Sequence, residues 1–167
     1  MDAHGRTEAA VLVPLYGDPA NPTIVFTERR ADLRRHAGEI SFPGGRREGP
    51  DEELLTTALR EAEEEIGLPA ERVDLLGALP PIGTFVTNYK VHPFVGTIPA
   101  EAPLNPSPTE VEQVLRFDAA DLRGSFAMRR LIRMGIPVRS PTYRMDEHLI
   151  WGATARILGE FLSRLPA

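Results

Sequence analysis

Short apolar blocks and one long helical stripe dominate the first half of the chain. Residues 10 to 15 (AVLVPL) and 23 to 27 (TIVFT) have the length and composition of strands. The polar stretch Gly17 to Pro22 between them predicts a hairpin. Residues 30 to 38 read as an Arg-rich loop, and Glu39 to Phe42 as a short strand entering the turn Phe42-Pro43-Gly44-Gly45. Leu54, Ala58, Ala62 and Ile66 then recur at helical spacing. They predict a helix from about Asp51, an N-cap after Pro50, to Ile66, with Gly67 as its C-terminal stop. Val73 to Ala78 and much of Phe85 to Gly96 read as strands, Pro99 to Pro108 as a loop, and Val111 to Phe117 as another strand. Ala119 to Met134 predicts a short helix with irregular edges. Pro137 to Tyr143 is ambiguous, Glu147 to Ile150 reads as a last strand, and residues 151 to 163 as an amphipathic helix. Helices set between and after groups of strands predict an α/β fold. The expected form is an α/β/α sandwich around a central mixed sheet, in one domain over residues 1–167.

The polar face of the first helix changes the picture from fold to chemistry. At about 100° per residue, Glu61, Glu64 and Glu65 share an arc of roughly 100° beside the apolar stripe, while Glu63 points away. Glu-rich helices are commonly just solvated faces. Here the flank argues otherwise, because two glycines let backbone approach a ligand closely. Carboxylates held against an apolar stripe call for a cation, and a hard divalent ion takes oxygen ligands. Glu52 falls opposite this face on an ideal helix and reads as structural. Arg60 adjoins Glu61 and precedes Glu64 by four residues, so it can orient both.

These residues resemble the box of the Nudix hydrolases, G-x5-E-x7-R-E-U-x-E-E-x-G-U, over about residues 44–68. Seven residues separate Glu52 from Arg60, but after five intervening residues from Gly45 comes Asp51, so the loop holds one residue more than the pattern. Ala62 is a small version of the aliphatic U. The longer loop is similar to that of the CoA-pyrophosphatase branch. So is the block VFTERRADLRRHAGEISFPGG over residues 25–45, with Arg30 where the branch has Ser, and so is the closing WGATARIL. The resemblance covers about residues 9 to 163. It implies Mg²⁺ or Mn²⁺ held by Glu61, Glu64 and Glu65, with Arg60 and a distal glutamate, Glu110 in preference to Glu112, completing the catalytic set. It implies substrate contacts from Arg29, Arg34, Gly44 and Gly45, with Arg29 as the reader of the 3′-phosphate of CoA. The implied reaction splits CoA or a CoA derivative into 3′,5′-ADP and a 4′-phosphopantetheine product. ADP-ribose or another nucleoside diphosphate derivative is the alternative substrate, and a noncatalytic ligand-sensing domain the alternative class. His36 reads as structural or exposed, and Trp151 as packing.

Composition narrows the partners. The net charge of -5 argues against nonspecific nucleic-acid binding. No apolar run is long enough to span a membrane. The N-terminus lacks a signal-peptide pattern, and with no cysteine the chain has neither disulfides nor a thiol nucleophile, which suits the cytoplasm. The expected partner is therefore a small molecule. The oligomeric state is left open, with a homodimer as one arrangement. Lys90 is the only lysine, yet six arginines crowd residues 29 to 47. An arginine-rich composition explains the first fact. Their concentration beside the glycine turn fits phosphate recognition, for which the guanidinium fork is shaped.

Overall fold

The structure, a computed structural model, describes residues 7–33, 38–84, 88–133 and 135–166. Strand β1 (Thr7–Asp18) turns through Pro19 and Ala20 into β2 (Asn21–Arg29). The hairpin loop is thus two residues long, shorter than the polar stretch suggests, because Asp18 pairs with Asn21 and its carboxylate accepts from Ala20 N–H at 2.9 Å. Next come β3 (Ile40–Ser41), β4 (Gly44–Arg46), α1 (Leu54–Ile66), a 3-10 turn at Ala70–Arg72, β5 (Asp74–Ala78), β6 (Ile82–Gly83) and β7 (Tyr89–Thr97). The chain closes with β8 (Val111–Asp118), α2 (Ala119–Ser125), β9 (Phe126–Arg133), β10 (Ile136–Met145), β11 (His148–Ile150) and α3 (Gly152–Leu162).

The larger sheet runs β3-β2-β1-β7-β5, with β4 and β8 pairing to β1 and β2. It is mixed, because β1 and β7 are parallel while its other pairs are antiparallel. A second, antiparallel sheet holds β11-β10-β9.

Side-chain alternation along β1 builds two cores at once. Ala10 and Leu12 face α1, joining Val25, Ala58, Ala62, Ile66, Leu68 and Ile98. Ala9, Val13 and Leu15 face the other way, where Phe26, Leu122, Ile150 and Leu158 enclose them. Helices therefore cover both faces of the sheet, as the sandwich expectation requires.

Two further sequence expectations are corrected. Helix α1 starts at Leu54 with Glu53 as its N-cap, not at Asp51, and the cap has no side-chain hydrogen bond. The segment Ala119–Met134 is not one helix. It breaks after Ser125 into β9, whose partner β10 resolves the ambiguous Pro137 to Tyr143 stretch as a strand. Residues 126–133 carry no clean apolar–polar alternation; the local signal is Gly135, which takes a φ of 78° in the turn to β10. Gly67 does stop α1, with a φ of 66° and its N–H on the carbonyl of Glu63.

Candidate active site

The glycine turn is anchored from below. Phe42 is buried and stacks on Phe26 with ring centroids 4.8 Å apart, and Leu12 N–H donates to the Pro43 carbonyl at 2.9 Å. These contacts set Gly44 and Gly45 opposite Val11 and Ala10 of β1. A β-carbon at Gly45 would lie 2.6 Å from the Glu61 carboxyl carbon, and one at Gly44 would collide with the backbone of β1. Both positions thus demand glycine for closeness, not for an unusual φ.

Two carboxylates from α1 meet this turn. Glu65 Oε2 accepts from Gly44 N–H at 2.7 Å. Burial pushes the Glu65 carboxyl up to about 8; the Gly44 N–H opposes this, the charges of Glu61 and Glu110 add to it, and Arg29 opposes it. Burial also raises the Glu61 carboxyl, against Arg60 and with help from Glu64 and Glu110. Glu64 is more open, with 56% of its side chain exposed. Glu63 is exposed on the far side.

Arg60 is the hub of the cluster. Its Nε and Nη2 grip the two oxygens of Glu52 at 3.0 and 3.1 Å. Its Nη1 reaches Glu61 at 3.0 Å and Glu64 at 3.4 Å, and Nη2 also donates to the Arg46 carbonyl at 3.2 Å. Glu52 accepts in addition from Glu48 N–H and from the Thr57 hydroxyl, so its carboxyl falls to about 2, chiefly through Arg60. Those same bonds hold Arg60 well above its ordinary value. Glu52 is structural, then, but as the seat of Arg60 ahead of the helix. The sequence pattern alone does not single out that pairing or the buried Thr57.

The loop from Pro99 to Glu110 closes over the end of α1. Asn105 N–H donates to the Ile66 carbonyl at 2.7 Å and Ser107 N–H to the Glu65 carbonyl at 2.8 Å. Glu110 is thereby brought close enough for its charge to act on both Glu61 and Glu65. Glu112 sits at a register shift between β2 and β8, and its charge acts on Arg30. Arg30 itself is committed to Asp32 and to the Pro108 carbonyl. Arg29 lies near enough to Glu65 to oppose its neutralisation. Arg34 and His36 lie outside the described residues.

Among the described residues, no three acidic or histidine side chains converge on one point. Glu61 and Glu65 nevertheless form the donor set a hard divalent ion prefers. They are oxygen ligands whose burial disfavours their charge until a cation offsets it.

The NUDIX domain model matches residues 6–134. The chain belongs to the Nudix family. A relative from Pectobacterium atrosepticum, described as "Uncharacterized Nudix hydrolase NudL", is 38% identical over 160 residues, covering 93% of this chain and 81% of the relative. Two solved structures share the fold. The Nudix domain of NrtR from Shewanella oneidensis, crystallised with ADP ribose, superposes with a TM-score of 0.64 at 12% identity, over 96% of this chain and 89% of that one. The MutT protein from Methanosarcina mazei gives a TM-score of 0.59 at 19% identity, over 95% and 93%. The chain is therefore a Nudix pyrophosphohydrolase, in a family that generally uses divalent metals.

Proposed function

We propose that this Nudix hydrolase cleaves the diphosphate of CoA or a CoA derivative, giving 3′,5′-ADP and a 4′-phosphopantetheine product. The observation that carries the chemistry is the buried Glu65 carboxylate on Gly44 N–H, with Glu61 packed against Gly45. The substrate rests on the block over residues 25–45, whose Arg29 acts on Glu65 through its charge.

A diphosphate repels nucleophiles because its oxygens are already anionic. Mg²⁺ or Mn²⁺ on Glu61 and Glu65, joined by Glu64, would offset that charge and acidify a water. Arg29, whose charge is felt at Glu65, would hold phosphate oxygens. Glu110, on the loop that crosses the helix end, accepts the proton as water attacks phosphorus and a P–O bond breaks. Arg60 keeps Glu61 and Glu64 in position and touches no substrate. Gly44 and Gly45 let β1 and the Glu61 carboxylate close on the turn, beside which the diphosphate would lie.

The test is a panel of CoA, acyl-CoA, ADP-ribose and nucleoside triphosphates, each with Mg²⁺, Mn²⁺ or chelator. CoA or acyl-CoA is expected to be the best substrate, with activity abolished by the chelator. Cleavage of ADP-ribose without CoA would remove the CoA assignment. Activity that survives the chelator would remove the metal site.

A further inference from the structure

Away from the carboxylates, a cavity of about 260 Å³ opens between β3, the β9–β10 hairpin and the start of α3. Its wall combines Ile40, Leu131 and Val138 with Trp151. Arg133 lies over the Trp151 ring at 4.1 Å and reaches Glu39 at 3.6 Å. Arg156 also lines it.

Arg156 is the anomaly of the molecule. Its Nη2 donates to the Gly83 carbonyl at 2.5 Å, but its Nε is buried without an acceptor. No other described residue carries such an orphaned buried side-chain atom. Among the described residues Arg156 has no carboxylate partner, and burial alone pulls its pKa below the ordinary value. A buried donor such as this Nε is normally satisfied. An acceptor is missing at Nε, and one that carries negative charge would pair the half-buried cation as well.

The cavity also lies within a short stretch of chain from the glycine turn. Ile40 in its wall is four residues before Gly44, a stretch that extends at most roughly 14 Å. Glu39 in its rim accepts from the backbone N–H of Arg29 at 2.9 Å. A ligand whose diphosphate lies on Gly44 can therefore send one end here.

We propose that this cavity takes the phosphorylated nucleoside end of the substrate, with its ring against Trp151 and the apolar wall and its terminal phosphate on Arg156. The assignment rests on the nucleotide-substrate reading above and extends it. It favours the nucleoside over the pantetheine end because a neutral, flexible arm would leave the Arg156 charge unpaired.

Trp151 is the only tryptophan of the chain, so its emission reports on the cavity alone. Adenosine 3′,5′-bisphosphate would be titrated in EDTA, by emission and by calorimetry, with pantetheine as the neutral comparison. Saturable binding of the bisphosphate and none of pantetheine is expected. Arg156→Gln should weaken the bisphosphate at least ~10-fold, as loss of a charge-assisted contact does. Should Arg156→Gln not fold, Val138 offers a second handle, being a half-open strand position in the wall. Val138→Glu should weaken binding and Val138→Lys should not. In turnover, dephospho-CoA should show kcat/KM at least ~10-fold below CoA, a gap that Arg156→Gln narrows. A silent Trp151 without calorimetric binding would overturn the proposal, and so would affinity unchanged in Arg156→Gln and Val138→Glu. Bisphosphate binding in EDTA without CoA hydrolysis would keep the cavity and discard the CoA reading. CoA hydrolysis without that binding would do the reverse.

Discussion

At the scale of the residue, Glu65 carries the most decisive physics. Its carboxyl moves from an ordinary 4.5 to about 8 on folding, mainly through burial. The folded state then holds the proton more tightly than the unfolded chain. This contribution to the stability of metal-free protein is complete below pH 4.5 and is lost as the pH rises through about 8. Thermal melts in EDTA should therefore fall in midpoint across that window, and Glu65→Gln should flatten the slope. Divalent ions take the charged form, so their affinity should rise with pH over the same range, with proton release measurable by calorimetry in buffers of different ionisation heat. Turnover of Glu65→Gln should drop at least ~100-fold while the protein stays folded. Near-normal turnover would remove Glu65 from the metal set. Glu110→Gln should slow turnover more than Glu112→Gln and alter the limb of the pH–rate profile that reports the base. Equal, small effects would return both to the role of solvated loop acids. The Glu61, Glu64, Glu65 face was legible in the sequence because helical periodicity fixes it. The grip of Glu52 on Arg60 was not, because Glu52 leaves the helical geometry from which its direction was read.

At the scale of the element, the turn from β3 to β4 and the start of α1 act as one device. Gly45→Ala is the sharpest probe, since its β-carbon would occupy the place of the Glu61 carboxylate. Turnover should fall at least ~10-fold, whereas the thermal midpoint should move little, because the displaced carboxylate can swing toward solvent. Unimpaired turnover would show that Glu61 need not touch the turn. The apolar stripe made α1 legible from Leu54 to Ile66, and Gly67 gave its end. Its first turn was misread because Pro50-Asp51 looks like a cap, whereas Glu52 is drawn to Arg60 and Glu48 N–H before the helix begins. The β9 strand was hidden for a related reason. Arg129, Arg130 and Arg133 suit a helix by propensity, and only the pairing with β10 decides for a strand.

At the scale of the whole molecule, the sandwich was legible because each strand of the pattern has a face to bury, and β1 has two. What a lone sequence could not supply was the second sheet and the cavity it makes with α3, since both depend on pairings distant along the chain. The central strand also allows a global test. Leu12 is fully buried against α1, and its N–H holds Pro43. Leu12→Ala should cost about 3 kcal/mol in denaturant melts, the middle of the range for a buried leucine. It should also lower turnover under conditions where the protein remains folded, because the hydrogen-bonded turn rests on that strand. A loss of stability with turnover intact would separate the core from the turn. β1 seats both cores and both glycines through the same few pairings, so slipping it by one residue would exchange the cores and unseat the turn together. The chain thus has no well-packed yet inactive neighbour one step away in register. Heredity can drift on its rim more freely than along β1, where one slipped pairing would be felt on both faces.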